Sequence, residues 1–169
     1  MNTKVEQQPG EPQDPHELPQ PPPEDPSLTF DIADLLKRGQ GATDEYSLDT
    51  KIDLEEEEIV PQGHLKGKVE IMKIEGEFNV QVRDVEIELE LKCGKCLETF
   101  TQNITIPFAE HEYLVEKIKG DKREEISLID RKNRTLNISE FLRQEIILHS
   151  PLIPVCSLHC KGINSRNNG

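Results

Sequence analysis

Two cysteine pairs carry the spacing most suited to chemistry. Cys93-Gly94-Lys95-Cys96 is a C-x2-C, and Cys156-Ser157-Leu158-His159-Cys160 is a C-x3-C about 60 residues later. Each short loop can set two thiolates on one side of a tetrahedron, so the pattern predicts one structural Zn2+ ion held by Cys93, Cys96, Cys156 and Cys160. Gly94 relaxes the first loop, and Lys95 would offset thiolate charge. Metal affinity becomes folding free energy, which suits a chain with 4% aromatic residues and no Trp.

Three other readings stay open at this level. A redox C-x-x-C opens a helix whose N-terminus lowers the thiol pKa. Here Cys96 runs into Leu97-Glu98-Thr99-Phe100 and a period-two pattern instead. A disulfide is disfavoured inside a cell. Four unrelated buried thiols are the remaining case. His159 lies within the second pair and can stand in for a cysteine, but a plain loop histidine is the favoured reading. No Ser/His/Asp set has readable spacing, and neither G-x-x-x-x-G-K-[ST] nor G-x-G-x-x-G occurs.

The elements that must position these sulfurs show mostly period two. From Leu65, Val69 and Ile71 alternate with Lys68 and Glu70, Gly76 marks a turn, and Phe78, Val80 and Val82 alternate with polar neighbours. At Asp84 the parity changes, and Val85, Ile87, Leu89 and Leu91 take over. A one-residue change turns side chains to the other face, so a bulge or short turn is predicted at Arg83-Asp84. Phe100, Ile104, Ile106 and Phe108 continue the alternation after the first cysteine pair. Asn137 and Glu140 are placed as a capping-box-like pair. They open a helix over about 138–149, with Ile138, Phe141, Leu142, Ile146 and His149 at helical spacing and Pro151 as its stop. Its apolar face is expected against residues such as Val80, Leu89 and Ile104, delivering the second cysteine pair to the first. Earlier in the chain, Leu28–Ile32 alternates like a short strand. Asp31 or Asp34 can cap a helical turn through Leu35–Arg38, residues 42–53 read as loop, and Glu55–Glu58 as a solvated charged face.

The fold class expected is α+β: an antiparallel β-meander or small open barrel with a C-terminal helix packed on it, preceded by a disordered, acidic, Pro-rich tail. At 169 residues there is room for one core. Residues 1–60 carry 16 acidic against 4 basic side chains, and 8 of the 12 prolines fall within residues 9–26. Such a segment cannot bury enough surface to offset its ordering entropy. The expected organisation is therefore tail 1–27, one domain over 28–163, and a flexible terminus 164–169. No apolar run is long enough to cross a membrane, and MNTKVEQQPGEPQDP lacks the apolar core of a secretory signal.

A strand ending in Cys93-Gly94-Lys95-Cys96-Leu97-Glu98-Thr99-Phe100 is followed by the segment Phe141–Leu148. Then come Pro151-Leu152-Ile153-Pro154-Val155-Cys156 and Cys160-Lys161-Gly162. In that order, over about residues 28–163, the chain resembles the bacterial YceD-like proteins, the large ribosomal RNA subunit accumulation proteins. The resemblance implies a cytoplasmic, non-enzymatic factor needed for normal levels of large-subunit (23S) ribosomal RNA. It implies ribosomal RNA or ribosome-assembly and RNA-processing proteins as partners, with no membrane and no small-molecule substrate. Many relatives continue with a further C-x-x-C, where this chain has Asn164 and Asn167. The four cysteines present still make a complete ligand set.

How such a factor would touch RNA divides two readings. Overall net charge is −13, which opposes broad binding to phosphates. Residues 117–134 are the exception: Lys117, Lys119, Lys122, Arg123, Arg131, Lys132 and Arg134 outweigh four carboxylates and form a candidate RNA-contacting segment. The alternative is an acidic adaptor whose tail and Glu55–Glu58 meet basic ribosomal proteins or an RNA-processing nuclease.

Overall fold

The computed structural model describes residues 26–116 and 127–163. Its main body is an open five-stranded sheet built from β2 (Thr43–Thr50), β3 (Ile59–Ile74), β4 (Glu77–Lys92), β5 (Thr99–Leu114) and β6 (Ser127–Leu128), in that order. Neighbours run antiparallel, except that β6 lies parallel to β5. The sheet is a meander and does not close, so the barrel alternative is set aside. A second, two-stranded sheet pairs β1 (Thr29–Asp31) with β7 (Thr135–Asn137), and two helices, α1 (Ala33–Lys37) and α2 (Ser139–His149), complete the fold. The expected tail lies almost wholly in residues 1–25 and the expected flexible terminus in 164–169, both outside the described residues.

The predicted break in β4 is present and explains the shape of the sheet. Phe78, Val80 and Val82 are buried, then Val85, Ile87, Leu89 and Leu91. Between them Asp84 takes a left-handed φ of 50°. The β3–β4 pairing shifts register on either side of Lys66, as a bulge requires. There β3 comes so close to β4 that a Cβ on Gly67 would lie 2.9 Å from Val85 Cγ2 and 3.0 Å from Val85 Cα, so this position needs glycine. The β4–β5 register stays unbroken across the same point, pairing Arg83 with Phe108 and Val85 with Ile106. β5 therefore changes face in step with β4. Ile104 and Ile106 are buried, then Ala109 and Tyr113, and Phe108 is left 49% exposed beside Arg83. Reading Phe108 into the core with Ile104 and Ile106 is thus corrected.

Residues 42–53, read as loop, contain an eight-residue edge strand, Thr43–Thr50. An edge strand with one wet face needs few apolar residues. Leu48 is buried, and Tyr46 meets Phe30 of β1 with ring centroids 4.6 Å apart. The first described element is a 3-10 turn, Pro26–Leu28. Leu28, Ile32 and Leu35 are fully buried, so β1 and α1 belong to the core. Ile32, not Asp31 or Asp34, is the N-cap of α1; Asp31 Oδ1 accepts the Ala33 N–H at 2.8 Å and tightens the turn into the helix.

α2 starts one residue later than expected, with Ile138 rather than Asn137 at its N-cap. Asn137 Oδ1 accepts from the Ser139 N–H at 2.9 Å while its amide donates to Thr29 Oγ1 at 2.6 Å. Glu140 does not reach back to complete a capping box. It pairs with Arg143 and accepts from Gln144 at 3.0 Å. Ile138, Phe141, Leu142 and Ile146 are buried in the same core as Val80, Leu89 and Ile104. Phe141 stacks on His111 of β5 with centroids 5.2 Å apart, and His111 meets Tyr113 edge-on at 5.1 Å. His149, counted with the apolar face, is exposed and bonded to the Glu145 carbonyl at 2.8 Å. Arg143 of α2 reaches the loop before β3, donating to Asp53 O at 3.2 Å and lying 3.7 Å from Glu55.

Candidate metal centre

β4 ends at Lys92 and β5 begins at Thr99, so the first cysteine pair sits in the turn joining two long paired strands. Cys93 is fully buried beneath it and Cys96 is half-buried. The turn is closed by Leu97 N–H to Cys93 O and Cys93 N–H to Glu98 O, both 2.9 Å, with Leu97 at φ 63°. No helix follows Cys96, so the setting of a redox C-x-x-C is missing.

The second pair arrives after α2. Ser150 ends the helix, donating its N–H to Ile146 O and Ile147 O, and residues 151–163 run back over the turn. Backbone contacts hold the two loops together: Gly94 N–H to Pro154 O at 2.8 Å and Ile163 N–H to Lys95 O at 3.0 Å. At Gly162 the backbone has φ 76°, and a Cβ there would sit 3.3 Å from Lys95 O. Side-chain pattern did not mark this glycine as part of the site; the signal was its place directly after Cys160-Lys161.

The result is a four-sulfur cluster. Cys93 Sγ lies 3.8 Å from Cys160 Sγ and Cys96 Sγ 3.7 Å from Cys156 Sγ, with all four sulfurs within 4.8 Å of one another. A disulfide needs sulfurs about 2.05 Å apart, so none of these contacts is one. Metal–sulfur bonds of about 2.3 Å in a tetrahedron place sulfurs about 3.8 Å apart, the spacing found for both pairs. Convergence on one point also removes the reading of four unrelated thiols. His159 is exposed and stands outside the group.

Electrostatics separate the sulfurs. Backbone N–H groups of Cys96, Cys156 and Lys95 point at Cys93 and, against its burial, draw the thiol down to about 6. The Lys95 and Cys156 N–H groups are each 3.4 Å from its sulfur. Cys156 is pushed up to about 12 by Cys160, Cys96, burial and Cys93. Cys96 receives the Glu98 N–H, which lowers it, but crowding by Cys93 and burial outweigh this and leave it above its ordinary value. Four negative charges cannot share this volume without a cation. A divalent ion would displace the held protons and use all four sulfurs as thiolates.

The candidate RNA-contacting residues are placed elsewhere. Lys117, Lys119, Lys122 and Arg123 lie outside the described residues. Arg131, Lys132 and Arg134 are exposed on the tight turn between β6 and β7. Asp130 organises that turn, accepting the Asn133 N–H at 3.0 Å and its amide at 2.7 Å. Arg131 is ion-paired with Glu116, and Arg134 has φ 57°. None of the three joins the cysteine cluster. No helix among the described residues is long and apolar enough to cross a membrane.

Compared with known proteins, residues 83–168 match the family model described as large ribosomal RNA subunit accumulation protein YceD. That span is just over half of the chain and holds β5, α2 and both cysteine pairs. No curated protein and no solved structure matches.

Proposed function

The chain belongs to the YceD family of large ribosomal RNA subunit accumulation proteins, and from that premise we propose that it is a non-enzymatic, cytoplasmic ribosome-biogenesis factor. It supports accumulation or processing of 23S ribosomal RNA, acting on ribosomal RNA or on the proteins that assemble and trim it. The family match over residues 83–168 carries this reading. Within it, Cys93, Cys96, Cys156 and Cys160 hold one structural Zn2+ ion, supported by the sulfur separations of 3.7 and 3.8 Å. Zinc takes four thiolates tetrahedrally with no redox chemistry of its own, so its contribution here is to fix the shape of the 151–163 loop against the turn between β4 and β5. The seven basic residues of 117–134 are the proposed phosphate contacts, in keeping with recognition that needs charge rather than fixed geometry.

The test is made in cells. Depleting the protein should lower 23S relative to 16S ribosomal RNA, and the full-length chain should restore it. Elemental analysis of the purified chain should find one zinc per molecule, lost in Cys93→Ser. Unchanged 23S levels on depletion refute the biogenesis role. A chain purified without zinc that takes none up refutes the metal.

A further inference from the structure

The loop that brings the second cysteine pair home leaves large aliphatic side chains in water. Leu152 is 100% exposed, Leu158 92%, Ile153 74% and Ile163 66%, and Leu97 on the facing turn is 53% exposed. Soluble proteins scatter single apolar residues over their surfaces, but clusters of this kind mark interaction sites. These side chains are not spread at random. Leu97, Leu152 and Ile153 line one cleft of about 350 Å³, together with Ile59, Pro151 and Pro154. The buried Cys93 is among its lining residues, so the cleft adjoins the four-sulfur cluster.

A second cleft of about 270 Å³ adjoins it, and the two share Glu58 and Lys92 in their walls. The second one is acidic. Glu57, Glu58 and Glu90 line it, and Lys92 is its single cation. Glu55, at the start of the same run, lies 3.7 Å from Arg143. Glu57, Glu58 and Glu90 have no ion-pair partner among the described residues. Among the described residues the surface thus runs from an apolar end at the cysteine cluster to an end where three carboxylates face one lysine.

We propose that this groove docks a basic segment of a partner protein, seating one aliphatic side chain against Leu97, Leu152 and Ile153 and placing Lys or Arg residues on Glu57, Glu58 and Glu90. An aliphatic anchor in a pocket supplies most of the affinity of such a contact, and complementary charge supplies register and partner choice. The carboxylates decide the class of occupant. A nucleic-acid backbone would be repelled there, and the net charge of −13 adds to that repulsion. A second copy of this chain would bring the same carboxylates against them. The inference deepens the biogenesis reading by naming how a protein partner is held. It rests on that reading only through the 151–163 loop, whose shape the metal maintains.

The test uses the full-length, zinc-loaded chain and three fluorescent probes: a short Lys/Arg peptide with two leucines, the same peptide with serines in their place, and a single-stranded RNA of equal length. The leucine peptide should bind, and the serine peptide should bind about tenfold more weakly or worse. Leu152→Ser, at a wholly exposed position, leaves folding intact and should weaken the leucine peptide by a similar factor. Glu57→Gln with Glu58→Gln and Glu90→Gln should do the same and reduce the salt dependence. Equal affinity of parent and variants overturns the proposal. So does an RNA titration that responds to Leu152→Ser, which would assign the face to RNA. A dimer in light scattering that becomes monomeric with Leu152→Ser also overturns it, giving the face to a second copy. Peptide binding that survives while 23S levels ignore depletion would sink the biogenesis role and leave the groove standing.

Discussion

If the four cysteines hold the proposed zinc, removing it should release one segment and leave the sheet folded. Fixing a residue's backbone costs about 1–2 kcal/mol, so holding the roughly thirteen residues of 151–163 in place costs on the order of 13–26 kcal/mol. Little in the protein offsets this, since no residue of that stretch is fully buried. Its backbone bonds are Gly94 N–H to Pro154 O, Ile163 N–H to Lys95 O and Cys160 N–H to Ser157 O, worth about 0.5–1.5 kcal/mol each. The half-buried Pro151, Pro154, Val155 and Cys160 return about 1 kcal/mol apiece. The shortfall, on the order of 12 kcal/mol at the middle of these ranges, is what a structural four-thiolate zinc supplies, about 10–16 kcal/mol. The sheet needs no such help, with Val69, Ile71, Phe78, Val80, Val82 and Leu89 fully buried. The assay is amide hydrogen exchange with and without a chelator. Residues 151–163 and the amides of Gly94 and Leu97 should lose protection on chelation, while Val80 and Leu89 in β4 keep theirs. If 151–163 stays protected without metal, some other interaction orders it and the argument fails. Collapse of the whole sheet would equally refute the division into two parts.

Three further outcomes can be checked. Phe141 is 4% exposed and stacked on His111, so Phe141→Ala should cost about 3–5 kcal/mol in denaturant unfolding; a loss under about 1 kcal/mol would make α2 peripheral. In the metal-free chain the Cys96 and Lys95 N–H groups of the turn itself still hold the Cys93 thiol below its ordinary 9.0, so its thiolate stabilises the turn fully above pH 9 and loses that contribution as pH falls through the lowered value; ultraviolet thiolate absorbance should show one group titrating below the other three, gone in Cys93→Ser, and its persistence in that variant would contradict the assignment. If Lys122, Arg123, Arg131 and Lys132 touch phosphate, changing all four to Ser should flatten a salt slope of about −2 to −4 in log affinity for ribosomal RNA, and identical binding across salt would leave the segment a solvated connector.

Residue pattern alone marks out the long strands, the turn of face at Asp84, the buried face of α2 and the two short cysteine loops. Each of these is a local property. Alternation and helical spacing are set by neighbours within a few residues, and a parity change shows wherever one residue is added to a buried strand. Where only one face of an element is buried, and that weakly, the local signal fades. Thr43–Thr50 has one buried apolar residue and passed for loop, and Thr135–Asn137 is too short to declare itself before the helix. Phe108 needed a second strand to be placed, because its direction follows from β4 turning over while the β4–β5 ladder stays in register. The cysteine cluster divides the same way. Sequence supplied four thiols in two competent loops and left four chemistries open. Tertiary structure alone set sulfurs more than 60 residues apart at 3.8 Å, clasped their loops through Gly94 and Gly162, and lined the adjoining groove with side chains that no local pattern predicts to be in water. Separations across the chain are fixed by packing of the whole sheet and helix, and a window of neighbouring residues holds no record of them.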